Sequence, residues 1–126
     1  MSTFSLHSTV KTYPHWPYET IKNDIIGKRY TLTVQFVGAR RAQQLNEQYR
    51  QKTYTPNVLS FPLTPDTGEI YICPTVAVKE AQKFNLTVKG YVAYLFIHGL
   101  LHLKGFDHSD AMGAQEQRYL RKYGIV

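Results

Sequence analysis

The longest uncharged apolar stretch of the chain runs from Tyr91 to Leu103 and contains two histidines, His98 and His102. A membrane-spanning helix needs about 20 residues, so this shorter stretch predicts a helix buried in a protein core. Thr87 is suited to cap its first turn, because a threonine oxygen accepts a hydrogen bond from a free helix N–H group. Any fold of this chain must bury that helix and give two polar rings partners.

The remaining sequence alternates between strand and helix patterns. Ala42, Leu45 and Tyr49 recur at helical spacing and predict the buried stripe of one helix. We expect strands at 2–10, 30–37, 57–61 and 69–73, with the last two forming a hairpin, and helices at 17–26, 39–52, 74–84, 87–103 and 109–123. This order predicts an α+β fold with a small mixed β-sheet and helices packed on it.

Composition limits the domain count and the compartment. With 126 residues, the chain is expected to form a single domain over 1–126. Its only cysteine, Cys73, permits no internal disulfide, and no secretory signal pattern is present, so we expect a cytoplasmic protein. The formal net charge of +6 favours polyanionic partners, although many basic domains bind none.

Three of the five histidines fall within the segment HGLLHLKGFDH, as His98, His102 and His108. The first two are four residues apart, which places both imidazoles on one face of a helix. Gly105 can end the helix in a left-handed conformation, so that the chain folds His108 back towards the other two. We therefore predict one metal site at the end of the buried helix, with three nitrogen ligands and the open fourth position that is typical of catalytic zinc.

The same histidine spacing occurs in metzincin peptidases, where a glutamate that acts as general base follows the first histidine. Here that position is Gly99, which cannot accept a proton and which we expect to serve close helix packing. A metallopeptidase is therefore disfavoured. Asp107 is either a partner that orients one imidazole or a structural residue of the turn.

The chain resembles the YbeY family of endoribonucleases. The resemblance rests on HGLLHLKGFDH together with LNEQYR, NVLSFP and GEIYICP, four motifs in order over about half of the chain. Two positions depart from the family pattern, since Glu69 replaces an aspartate and Tyr91 stands where relatives often have an acidic residue.

This resemblance implies a metal-dependent endoribonuclease that cleaves single-stranded RNA. It implies roles in ribosomal RNA processing, at the small-subunit 3′ end, and in ribosome quality control, with ribosomal RNA or the small subunit as partner. By the shared motifs, His98, His102 and His108 would bind one Zn²⁺ and Arg50 would be catalytic. A guanidinium offers a planar fork to a phosphate, whereas the residue pattern alone favours a solvated arginine at position 50.

A third hypothesis belongs to a different functional class. The chain would be an RNA-binding ribosome assembly factor with a structural metal and no catalytic activity. Structural zinc usually has four protein ligands, and no fourth ligand is obvious in the sequence. The fold could still bring Cys73 or an acid close to the histidines. Whether protein or water fills the fourth position distinguishes these alternatives.

Overall fold

A computed structural model describes residues 2–125, which form a four-stranded sheet and five α-helices. The strands are β1 (Phe4–Ser8), β2 (Thr31–Phe36), β3 (Val58–Thr64) and β4 (Thr67–Ile72). The helices are α1 (Tyr18–Ile25), α2 (Ala39–Arg50), α3 (Pro74–Ala81), α4 (Val88–Leu103) and α5 (Asp110–Lys122), and a 3₁₀ turn, Gln82–Phe84, follows α3. The predicted α+β class is confirmed.

The sheet is mixed, as predicted, with the strand order β1-β2-β4-β3. Strands β1, β2 and β4 are parallel, and β3 pairs antiparallel with β4 at one edge of the sheet. The predicted hairpin is therefore present, with Leu59 opposite Tyr71 and Ser60 opposite Ile70. Strand β3 therefore has a neighbouring strand on one side only.

Helix α4 crosses one face of the sheet and supplies the centre of the core. Its residues from Tyr91 to Leu101 are almost all buried, and they pack on fully buried strand residues such as Val34, Ile70 and Ile72. Thr87 caps the helix as predicted, since its hydroxyl accepts a hydrogen bond from the Gly90 N–H at 2.9 Å. The long apolar stretch of the sequence is thus a core helix.

Gly99 allows α4 to lie unusually close to the hairpin. A β-carbon added at Gly99 would lie 2.9 Å from Ser60 Oγ and 3.2 Å from Ile70 Cδ1, which is closer than real side chains pack. The Ser60 hydroxyl also donates to the Gly99 carbonyl at 3.2 Å. The expectation that Gly99 serves close packing is confirmed, and this contact fixes the turn of α4 that contains the two histidines.

Two sequence-based expectations differ from the structure. Strand β3 continues through Pro62 to Thr64 instead of ending at Phe61, because an edge strand tolerates a residue without a backbone N–H. Tyr49 does not join the buried stripe of α2: Ala42 and Leu45 are buried, but the Tyr49 side chain is 59% exposed. Its ring contacts Phe61 of the edge strand β3, and helical spacing does not show how much of a side chain such a contact covers.

Among the described residues, no single helix is long and apolar enough to span a membrane. The segments Pro74–Phe84 and Val88–Leu103 pass that test only as a pair, by length and composition, and they are bent by 105° relative to each other.

Candidate metal centre

The end of α4 brings three histidines together. His98 and His102 lie one turn apart in the last two turns of the helix, and Gly105, with a φ of 109°, ends it in the left-handed conformation predicted from the sequence. The N–H groups of Gly105 and Phe106 return to the carbonyls of His102 and Leu101, both at 3.0 Å. The turn that follows brings His108 back, so that one ring nitrogen from each histidine lies within 4.8 Å of the others.

Hydrogen bonds hold the first two imidazoles with their Nε2 atoms facing each other. Nδ1 of His98 lies 2.7 Å from Glu116 Oε2, and Nδ1 of His102 lies 3.1 Å from the Phe106 carbonyl oxygen. Since both of these partners are acceptors, each Nδ1 donates a proton, and in the neutral form of each ring the Nε2 lone pair is free. The two Nε2 atoms are 3.0 Å apart, so two neutral rings would direct their lone pairs at each other and could share one cation.

The donor set therefore fits a metal ion. Neutral imidazole nitrogen is a preferred ligand of zinc, and nitrogens bound tetrahedrally to one zinc ion lie about 3.3 Å apart. Burial, with a further contribution from His98 and His108, holds the pKa of His102 below its ordinary value. His102 is consequently neutral near pH 7, which is the form that binds a metal.

Glu116 is the residue of this site that the sequence analysis missed. It lies on α5, is 8% exposed, and makes the contact to His98 that Asp107 was considered for. Asp107 is exposed, and its backbone carbonyl accepts a hydrogen bond from the Ser109 hydroxyl. This is a structural role in the turn. The available signal was an acid in the buried stripe of α5, four residues after Met112 and three before Tyr119.

Tyr94 lies on α4 one turn before His98, with the centroids of the two rings 5.8 Å apart. Burial, together with the negative charge of Glu116, raises the pKa of Tyr94 to about 12, so its hydroxyl keeps its proton at neutral pH.

The histidines open into a cavity of about 470 Å³. Its other walls come from Arg50, the last residue of α2, and from the start of β3 with the residue before it, namely Asn57, Val58, Leu59 and Ser60. Among the described residues that line this cavity, none carries a carboxylate. The structure therefore places Arg50, the residue singled out by the resemblance, in the wall of the same cavity as the three histidines.

Arg50 is held by neighbouring side chains and not by an acid. Its guanidinium donates to Asn46 Oδ1 at 3.3 Å and to the Tyr54 hydroxyl at 3.4 Å. Asn46 is fully buried, and its amide also donates to the Tyr54 carbonyl at 2.9 Å, which anchors the loop after α2. These neutral partners leave the positive charge of Arg50 available to an anion in the cavity.

Tyr91, one of the two departures from the family pattern, is compensated by an acid from another helix. The Tyr91 hydroxyl donates to Glu80 Oε1 at 3.0 Å, and the Asn57 amide donates to the same oxygen at 2.9 Å. Glu80 lies near the end of α3 and is half-buried. This cluster orients Asn57, which lines the cavity, even though position 91 has no acidic residue.

Cys73 takes no part in the centre. It is buried beside Val37 and Ala42 at the start of α3, where it packs as a small apolar residue. In the part of the chain between residues 2 and 125, the group of side chains able to hold a metal contains the three histidines and no cysteine or acid.

Comparison with known proteins identifies relatives of this chain. A family profile described as endoribonuclease YbeY matches residues 3–124. A protein named endoribonuclease YbeY from Methylobacillus flagellatus is 34% identical over 97 residues, which cover 75% of this chain and 65% of that protein. The protein of the same name from Polaromonas naphthalenivorans is 42% identical over 80 residues, covering 61% of this chain and 53% of its own length. The alignments thus span less than two thirds of these two relatives.

The fold itself also has a solved counterpart. A solution structure of a Thermotoga maritima protein matches 95% of this chain and 88% of its own, with a TM-score of 0.69 and 29% sequence identity. The arrangement of sheet and helices described above is therefore shared by a related chain.

Proposed function

Since the chain belongs to the endoribonuclease YbeY family, we propose that it is a metal-dependent endoribonuclease that cleaves single-stranded RNA. Membership of this family supports a hydrolase of the nuclease class. The observation that carries the proposal is the convergence of His98, His102 and His108 on a cavity that Arg50 also lines. A phosphodiester in that cavity would meet both the metal site and a guanidinium.

The proposed cofactor is one Zn²⁺ per chain, held by His98, His102 and His108. Such an ion, bound by three neutral ligands, supplies a Lewis acid and lowers the pKa of a bound water. Arg50 binds a non-bridging phosphate oxygen and stabilises the negative charge that develops during cleavage. Glu116 keeps the His98 ring in the orientation that leaves its Nε2 free.

The net charge of +6 supports an RNA substrate, because phosphate neutralisation releases counterions and drives binding. The family resemblance supports ribosomal RNA, processed at the small-subunit 3′ end in the cytoplasm, and a part in ribosome quality control. The open cavity supports a single strand, since an unpaired backbone can enter a pocket between an edge strand and a helix end.

The two alternative functions have less support. For a metallopeptidase, position 99 would need a glutamate, and Gly99 is packed against Ser60 and Ile70 with no room for a side chain. For a structural metal, a fourth protein ligand would be needed, and among residues 2–125 no cysteine or acid joins the three histidines. The three histidines line the open cavity, where a water molecule or a substrate could reach a bound ion.

The proposal is tested by measuring metal content and RNA cleavage on one preparation of the purified chain. We expect about one zinc per chain and internal cleavage of a single-stranded RNA that stops when zinc is removed by a chelator and returns when zinc is restored. Zinc bound without cleavage would favour the assembly factor, and cleavage of a peptide substrate would favour the peptidase. A chain that takes up no transition metal would overturn the metal site itself.

A further inference from the structure

A second cleft lies on the face of the sheet opposite α4. In β3 and β4, Ser60 and Ile70 face α4, so the alternate residues Phe61, Glu69 and Tyr71 face the other way. With Tyr49 and Arg41 of α2 they border a cavity of about 310 Å³, which we name the aromatic cleft. Its three rings form a continuous row, with centroids 5.4 Å apart for Tyr49 and Phe61 and 5.8 Å apart for Phe61 and Tyr71.

The aromatic cleft adjoins the metal cavity through the same two elements. On α2, Arg50 lines the metal cavity and the preceding Tyr49 lines the aromatic cleft. On β3, Ser60 lines the metal cavity and the next residue, Phe61, lines the aromatic cleft. A strand of RNA held at Arg50 therefore needs to pass only around the edge strand β3 to reach the three rings.

The exposure of Tyr49 has no explanation in the packing of the fold. Its side chain is 59% exposed, although its ring touches Phe61, and the neighbouring Leu63 is 57% exposed. Exposed aromatic rings beside a polyanion-binding cavity are what proteins use to stack the bases of single-stranded nucleic acid, because every base has a π-face. Arg41 at the rim adds a positive charge for the neighbouring phosphate.

From this arrangement we infer that the aromatic cleft is a subsite for one unpaired nucleobase of the RNA strand whose phosphodiester lies at the metal site. The base stacks on Tyr49 and Phe61. Glu69 lies in the floor, with a carboxylate oxygen 3.5 Å from the Tyr71 hydroxyl, so its charge excludes a phosphate from the floor. The same carboxylate can accept a hydrogen bond from the amino group of a base, as acids do with cytosine.

This inference rests on the proposed function, so its test must separate the two. The parent chain is first assayed for cleavage of a single-stranded RNA with one defined cleavage site. The same RNA is then prepared with a single abasic nucleotide at each of several positions on either side of that site. We expect one position at which loss of the base weakens binding by about 5- to 150-fold, the range for one stacked base.

Protein variants identify which surface contacts that base. Tyr49→Leu should weaken binding of the intact RNA by a similar factor and should make the abasic position harmless, because the stacking partner is already gone. Tyr49→Phe keeps the ring and should keep the abasic penalty. Phe84→Leu is the matched control, since Phe84 is 61% exposed but lies in a different cavity, and it should bind and cleave as the parent does.

Each outcome decides a different statement. If the parent chain neither binds nor cleaves RNA, the proposed function fails, and the base subsite, which rests on it, is overturned with it. If the parent chain cleaves RNA but no abasic position is coupled to Tyr49→Leu, the base subsite is wrong while the function stands. Unchanged RNA binding by Tyr49→Leu, with loss of a protein contact instead, would identify the aromatic cleft as a protein-binding surface and would also overturn the inference.

Discussion

The carboxylate of Glu116 lies 2.7 Å from Nδ1 of His98, which joins α5, a helix that contains no proposed ligand, to the metal site on α4. A carboxylate in this position selects the tautomer with a free Nε2 and makes that nitrogen a better donor. The sequence shows Glu116 as an acid in the apolar stripe of α5 but does not show its partner, because Glu116 and His98 meet only through helix packing.

Substitution of Glu116 should weaken zinc binding without removing a ligand. We expect Glu116→Ala to lower the zinc affinity by about 10- to 100-fold, and Glu116→Gln to lower it less, because the amide oxygen still accepts from Nδ1. Competition with a chromophoric chelator measures the affinity, and nitrogen NMR of the His98 ring reports its tautomer. Glu19→Gln, a charge change at an exposed site on α1, is the control. Equal affinities for Glu116→Ala and the parent would mean that the contact does not position His98.

Mutation should distinguish the role of the metal ligands from the role of Arg50. His102→Ala should lose zinc and cleavage together, because it removes a nitrogen from the cluster. Arg50→Ala should keep zinc and the fold, because the side chain is exposed and its partners Asn46 and Tyr54 are neutral. It should lose about 10²–10³ in cleavage rate, the usual effect of removing one preorganised donor. Arg50→Lys should recover only part of that rate, since an ammonium cannot form a bidentate contact.

These variants are compared by single-turnover cleavage of a single-stranded RNA, and the zinc content of each variant is determined. Cleavage by Arg50→Ala at the parent rate with full zinc would show that Arg50 is a solvated surface residue. The metal site would remain under that result.

Alanine substitutions at two glycines on different helices should change the stability of the fold in opposite directions. Gly99→Ala should destabilise the fold by about 1–3 kcal/mol, since its β-carbon would press on Ser60 and Ile70, and this exceeds the helix-propensity gain of about 1 kcal/mol. Gly113→Ala on α5 meets no atom within 4 Å and should stabilise the fold by about 0.5–1 kcal/mol. Urea unfolding of both variants measures the difference, and equal shifts would contradict the close packing at Gly99.

An ion pair between α1 and α5 should make part of the stability depend on pH. Asp24 accepts hydrogen bonds from Lys122 Nζ at 2.6 Å and from the Tyr123 hydroxyl at 2.7 Å, and these bonds hold the pKa of Asp24 below its ordinary value. A lowered carboxyl pKa contributes stability above the unfolded pKa of about 4, and this contribution is lost as the pH falls through the folded pKa. Because the pair is partly exposed, we expect about 1 kcal/mol at neutral pH.

The variant Asp24→Asn should therefore be less stable than the parent at pH 7, and the difference should shrink towards zero near pH 2. Urea unfolding at several pH values gives this curve. Glu47→Gln, which removes one exposed negative charge from α2, serves as the control. A difference that stays constant with pH would assign the effect of Asp24 to packing instead of charge.

The affinity for RNA should fall as the salt concentration rises, and the slope should give the number of phosphate contacts. For single strands, the logarithm of affinity falls with the logarithm of salt concentration by about 0.7 per neutralised phosphate. Arg50→Ala should reduce the magnitude of this slope by about one such step, whereas Arg121→Ala, an exposed site near the end of α5, should reduce it less. Fluorescence anisotropy at several salt concentrations measures the slopes. Binding that does not change with salt would exclude the RNA backbone as the main contact.

The features predicted well from the sequence are those encoded within a few residues. Thr87 caps the helix that follows it, and Gly105 has the positive φ that its place after the apolar helix required. The spacing of His98 and His102 by one helical turn is likewise a local property, so their approach follows once the helix is predicted. The hairpin of β3 and β4 also follows from adjacent patterns.

The features that were missed depend on which surfaces meet. Tyr49 continues the helical spacing of Leu45, but its ring contacts Phe61 of the edge strand β3 and stays largely exposed, and a single sequence does not show how much of a side chain a neighbouring element covers. Pro62 continues a strand only because that strand is at an edge, which is a property of the strand order. Glu116 and Asn46 act through residues of other segments, so their roles appear only in the folded chain.

The two walls of the metal cavity come from very different distances along the chain. His98, His102 and His108 fall within eleven consecutive residues, so a short segment can gather them as soon as α4 and the turn after it form. Arg50 reaches the cavity only when α2 and β3 have joined the completed sheet. Zinc uptake and RNA cleavage would therefore report on different stages of folding, and a chain that carries zinc but has not finished its sheet would be unable to cut RNA.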